Sequence, residues 1–189
     1  MQNIEPFARW EKIYRASEDA SSPFYGEHYD ALLCRNTIYN HYIHPQWDDF
    51  GSQTLYLKIL FVSYDTQFAI IELMGEWNDC LYNDIMHLKR NVIEKLESNG
   101  IQKFILIGEN VLNFHYSDDS YYEDWFNDLE DGWIIAINFR EHVLAEFDQI
   151  NLNYYILYGG KLNQVKWRSL TPFKLFEALD SYVNSALNP

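Results

Sequence analysis

FAIIELMGEWNDCLYNDIMHLKRNVIEKLESNGIQKFILIG, residues 68–108, sets two short apolar runs around an amphipathic stretch. Residues 68–75 and 103–110 are rich in β-branched and aromatic side chains and read as buried strands. Between them Leu81, Ile85, Leu88, Val92 and Leu96 recur at helical spacing. They form one apolar stripe that starts at Asn78 or Asp79 and stops near Gly100. A strand, a helix and a strand with tight connections form a parallel pair with a right-handed crossover, which seeds an α/β layer. The stretch carries neither a phosphate-binding glycine loop nor a nucleophile elbow, so neither nucleotide hydrolysis nor serine chemistry is signalled.

Working backward, TLYLKILFVSY at 54–64 is a long strand, and so few residues separate it from Phe68 that the two pair as a hairpin. TIYNHYIH at 37–44 is strand-like and ends at Pro45. Phe7, Trp10, Ile13 and Tyr14 fall on one face of a short helix within residues 4–17, and polar residues 17–26 follow as a linker. The expected division is therefore an N-terminal helical arm and linker at 1–26 and a single α/β domain at 27–189. Working forward, residues 109–119 read as a loop. A helix near 121–130 is capped by Ser120 with Glu123 as a capping box. Strands at 133–139 and 153–160 flank a helix at 141–149, and a last helix starts at Pro172 behind Thr171. The predicted fold class is α/β, a mixed and mostly parallel sheet with a leading antiparallel hairpin, packed by helices.

From residue 54 the order is β, β, α, β, α, β, α, β, α. That order resembles the STAS domains (sulphate-transporter and anti-sigma-factor-antagonist). The resemblance implies a regulatory protein that works through protein contacts. It also implies a signalling serine or threonine in an Asp-Ser/Thr-x-Gly motif after the strand at 103–108. Here that place reads HYSDDSYY, with Ser117 and Ser120 and no glycine after either. The phrases IHPQWDDFG and FAIIELMGEWND are also similar to those of an uncharacterised bacterial protein family, a likeness that carries no functional expectation.

The 189 residues hold 28 acidic and 14 basic side chains, a net charge of −14. That balance disfavours nucleic acid and anionic membranes as partners, because both need cationic groups. No apolar run reaches the ~20 residues of a membrane span, and the N-terminus lacks the basic and apolar regions of a signal peptide. A cytoplasmic protein is expected. Cys34 and Cys80, without metal-type spacing, read as buried or half-buried thiols. His41 and His44, three apart on a strand, point to opposite faces and read as loop histidines, so no metal site is expected. No motif calls for a cofactor, and no catalytic residue is assigned.

Two sets of residues remain as candidates. In parallel sheets ligands bind beyond the carboxyl ends of the strands. Asp79, Glu109, Asn110, Asn138 and Arg140 stand there, as a rim for a small-molecule-binding protein or a hydrolase. From Phe104 to Phe139 there are eight acids and no base, interleaved with aromatics. Asp118, Asp119, Tyr121, Asp124 and Asp128 would there form a docking face for a protein partner with a basic surface. The favoured expectation is a non-enzymatic binding or regulatory module acting through protein contacts.

Overall fold

In the computed structural model, which describes residues 2–29, 37–39 and 41–187, five strands form one sheet in chain order. Ordered from β1 (Gln2–Ile4), β2 (Thr37–Ile38) and β3 (His41–Ile43), these five are β4 (Leu55–Ser63), β5 (Phe68–Asn78), β6 (Lys103–His115), β7 (Trp133–Ile137) and β8 (Ile156–Leu157). β4 and β5 are antiparallel and every later pair is parallel, so the fold is α/β with a leading hairpin. β1, β3 and β2 form a separate small sheet, in which β2 and β3 make an antiparallel hairpin.

Each crossover moves one place along the sheet, so crossovers of one hand all land on one face. That face is covered by α1 (Asp79–Tyr82), α2 (Asp84–Leu88), a π turn at Lys89–Ile93, α3 (Glu94–Glu97), α4 (Ser120–Asp128) and α5 (Glu141–Gln149). Ile85, Leu88, Val92, Trp125 and Phe147 pack there against Leu57, Ile71, Leu106 and Ala136. The other face is covered by α6 (Pro172–Leu187), by the segment at 7–17 and by the small sheet. Trp77, Trp125 and Trp167 are fully buried. Truncating any one of them to alanine removes about 3–5 kcal/mol.

On this second face two apolar clusters are separated by a polar band. Phe68, Ile70, Ile105 and Ile135 meet Trp10, Trp167 and Phe176 on one side. Tyr56, Met74 and Leu112 meet Ile38, Ile43 and Trp47 on the other. Between them Lys58 of β4 stands opposite Glu72 of β5 in the antiparallel register. They are the only charged side chains of those two strands up to Gly75.

Several local expectations are corrected. Leu81 is 74% exposed, outside the stripe it was assigned to, because Asn83 takes a left-handed conformation at φ 53° and restarts the helix in a new phase. Cys80, in the same short turn, is exposed rather than buried, and Cys34 lies outside the described residues. The N-terminal segment is two 3-10 turns, Arg9–Lys12 and Ala16–Glu18, rather than one α-helix, and Ile13 is exposed. Its packing is nonetheless on this domain, since Trp10 donates Nε1–H to the Leu170 carbonyl at 3.2 Å. Strand β6 runs on through the expected loop to His115, pairing with Gly75–Asn78 and burying Val111 and Phe114. The strand expected at 153–160 shrinks to two residues, because Leu152–Tyr154 form a 3-10 turn. The capping box does not form. Asp119 is the residue before α4, and Ser120 instead donates its N–H and hydroxyl to Asp118.

Candidate functional site

Where the pairing of β6 with β7 stops at Ile107 and Ile137, three of the five rim residues come together. Glu109 Oε1 accepts from Asn138 Nδ2 at 3.0 Å, and Asn110 Nδ2 lies 3.4 Å from Glu72 Oε1. What they converge on is not open space. The segment from Gly159 to Ser169 folds over the strand ends, and Asn138, in a left-handed conformation at φ 55°, staples it down. Its backbone N–H donates to the Leu162 carbonyl, while its side chain exchanges two bonds with the backbone of Val165. The segment delivers Trp167 Nε1 to Glu109 at 2.7 Å and Arg168 to both carboxylates. The Arg168 guanidinium gives Glu109 Oε2 two bonds, at 3.2 and 2.7 Å, and lies 3.6 Å from Glu72 Oε1. The rings of Trp167 and Phe7 stack on it.

Electrostatics separate the two carboxylates. Burial pushes Glu72 up to about 7, against the pull of the Phe7 N–H bonded at 2.8 Å and of Arg168. Burial also works against the charge of Glu109. Its bonds to Arg168, Trp167 and Asn138 outweigh that and hold it below the usual carboxylate range. A neutral and an ionised carboxylate side by side can serve as an acid and a base. Here, though, Glu72 is wholly inaccessible and each oxygen of the pair already faces a donor. The topology explains the closure. Ligand crevices open where the strand order of a parallel sheet reverses, and this order never does.

Asp79 and Arg140 stand apart from this group. Asp79 is buried beneath α4, where it accepts from Trp77 Nε1 at 3.0 Å, Ile85 N at 2.9 Å and Tyr122 Oη at 2.6 Å. Burial raises its pKa to about 7, and neighbouring Asp84 adds to the rise. Arg140 precedes α5 with its side chain exposed and enters no ion pair among the described residues. Glu72 and Arg168 are the members that strand-end reasoning missed. The signal available for Glu72 was a single acid inside an otherwise apolar strand; nothing local marks Arg168.

The acidic face is divided as well. Asp128 bonds the buried Lys89 ammonium at 2.6 Å, which Glu97 also holds at 2.9 Å. Asp119 accepts from Tyr155 at 3.0 Å, Asp118 turns back on Ser120, and Tyr121 meets Arg90 at 3.2 Å. Asp124 is exposed, as are Glu123, Glu130 and Asp131, and none of these four joins an ion pair among the described residues. Asp128→Asn should therefore lower stability by about 1 kcal/mol in urea denaturation, since half of a buried lysine's pairing goes. Asp124→Asn should stay within about 0.5 kcal/mol of the parent in the same measurement.

Beside these carboxylates lies a groove of about 370 Å³. It lies where β8, with two residues against the five of β7, leaves Trp133 without a partner on the β8 side. Trp133 and Ile134 form its floor, with Phe126 of α4, Tyr154 and Leu157 on one side and Val183 of α6 on the other. Phe126, Tyr154 and Leu157 are 39, 72 and 36% exposed. Lys103 crosses it, neutralised by Asp180 at 2.7 Å. His44 receives the Gln46 N–H at 3.2 Å, and no group of three or more His, Cys, Asp or Glu suited to a metal occurs among the described residues. No helix among them is long and apolar enough to cross a membrane. A scan against models of known protein families and a search of curated proteins both found no match.

Proposed function

We propose that the chain is a non-enzymatic binding or regulatory module whose working surface is the groove between α4, β8 and α6. Its partner is a protein segment that places an apolar or aromatic side chain on Trp133 and Leu157 and basic side chains toward α4. The observation that carries this reading is an open apolar groove lined by Asp131, with exposed Glu123, Asp124 and Glu130 close by along the chain and none of the four in an ion pair among the described residues. Buried aromatic anchors supply most of the binding energy at such surfaces, and the charges steer approach. The strand-end rim offers the opposite combination, polar groups already bonded to one another and covered by Trp167 and Arg168. The STAS-like order of elements supports a regulatory role in the same direction, without an argument for phosphorylation at Ser117 or Ser120.

Selection of displayed random peptides on the immobilised full chain tests it. Enriched sequences should carry lysine or arginine beside an aliphatic or aromatic residue, and Leu157→Asp should abolish their binding. Affinity should weaken as salt shortens the Debye length from ~10 Å at 0.1 M to ~3 Å at 1 M. Enrichment of acidic peptides, or binding untouched by Leu157→Asp, overturns the proposal.

A further inference from the structure

A second cavity, of about 180 Å³, lies between the edge strand β4 and the segment at 7–17. Its walls are mixed: Phe7, Tyr14, Ile59 and Leu60 supply apolar surface, while Glu11, Arg15 and Gln46 line it together with Lys58 and Tyr29. Lys58 is buried, and its ammonium is paired with buried Asp48, with Oδ2 at 3.3 Å and Oδ1 at 3.4 Å. The Tyr29 ring lies over it, 3.6 Å from centroid to Nζ, and the Tyr29 hydroxyl donates to Asp48 Oδ1.

We propose that Lys58 condenses reversibly with a small aldehyde or ketone held in this cavity. The volume equals that of about six liquid waters, which suits a carbonyl compound of about five carbons. In the reaction Asp48 takes a proton from the ammonium, and the freed Nζ lone pair attacks the carbonyl carbon. The carbon–oxygen π pair moves to oxygen, which receives a proton from the attacking nitrogen, giving a carbinolamine. Asp48 returns its proton to that hydroxyl, the nitrogen lone pair expels water, and a protonated imine remains beside the Asp48 carboxylate. One water is released, and no oxidant or reductant takes part.

Three features set Lys58 apart from the other buried lysine. Lys89 lines neither this cavity nor the groove beside β8 and is held by two carboxylates rather than one. For Lys89 burial works against the charge, but Asp128 and Glu97 outweigh it and keep the amine protonated. For Lys58 burial prevails over Asp48, with Glu11 and Glu27 contributing only weakly, so its pKa falls below the ordinary lysine value. A buried amine that sheds its proton more easily, beside an acid–base partner and facing a cavity, is suited to forming an imine.

The test treats the full chain with propanal and sodium cyanoborohydride at pH 7 and locates alkylated lysines by peptide mass spectrometry. Among the eight lysines, Lys58 should react about tenfold faster than the exposed ones, because burial lowers its pKa and the cavity holds the aldehyde beside it. That preference should vanish in guanidinium chloride. A Lys58 that reacts no faster than Lys95 or Lys174 in the folded chain overturns the proposal, as does a preference that survives unfolding.

Discussion

Asp79→Ala should lower the free energy of unfolding by about 3–4 kcal/mol at pH 5, the largest loss expected from any single polar side chain here. Three buried donors, the Trp77 indole, the Ile85 amide and the Tyr122 hydroxyl, would lose their acceptor together. Each unmet buried donor costs about 1–3 kcal/mol, and removing a carboxylate that is itself expensive to bury offsets part of the sum. The pH dependence follows from the raised pKa. The folded state holds a proton on Asp79 up to about 7, whereas the unfolded chain releases it near 3.8. Stability contributed by Asp79 is thus greatest below the unfolded value and declines as pH rises through that window. The penalty of Asp79→Ala should shrink between pH 5 and pH 8. Urea denaturation at the two pH values measures it. A ligand-binding aspartate would show the reverse, little loss of stability at either pH.

Arg168→Met should cost about 2 kcal/mol at pH 8 and about half of that at pH 5, with the methionine stem keeping its place against Trp167 and Phe7. The bond to half-exposed Glu109 contributes little of this, because solvent screens it. The larger share comes from Glu72, which has no exposure and would be ionised at pH 8 beside Glu109 without a compensating cation. Glu72 is raised by burial to about 7 against an unfolded value of 4.5, so its folded state is neutral at pH 5 and needs Arg168 less. Adding Glu72→Gln to Arg168→Met should recover most of the loss at pH 8. A loss independent of pH, or no recovery in the double variant, would show that Arg168 acts through packing alone.

The parts of the fold that the sequence revealed are those where local pattern and tertiary role agree. The apolar runs at 68–75, 103–108 and 133–139 supply the central strands, and Leu144 and Phe147, read as the buried residues of the helix at 141–149, are buried in α5. Pro172 behind Thr171 starts α6, where the Thr171 hydroxyl accepts the Lys174 N–H at 3.4 Å. The misses share a cause, an override that spacing does not carry. Asn83 restarts a helix in the left-handed region and turns Leu81 outward. The run NYYILYGG has strand composition, yet a 3-10 turn and two glycines leave it two paired residues.

The candidate sites were legible in the same partial way. Glu109 and Asn138 do meet, and Asn110 reaches Glu72 beside them, because Glu109, Asn110 and Asn138 follow directly where the pairing of β6 with β7 ends, although β6 itself runs on to His115. What fills the space above them is Arg168, 59 residues from Glu109 along the chain, and no periodicity connects the two. The rule that strand ends bind ligands rests on a reversal of strand order, which residue patterns alone do not display. Lys58 and Glu72 had a local signal, one charge each inside apolar strands, and their opposition across the hairpin was readable once the register was known.

The central claim is that the working surface is the groove beside β8 and that the strand-end rim is closed. Amide and side-chain NMR shifts of the full chain, titrated with a basic, apolar peptide from the selection, test it most directly. The account predicts that the largest changes fall on Phe126, Trp133, Tyr154 and Leu157, with Glu109, Asn138 and the Arg168 guanidinium unmoved. Changes centred on Glu109, Asn138 and Arg168, with the groove silent, would contradict it.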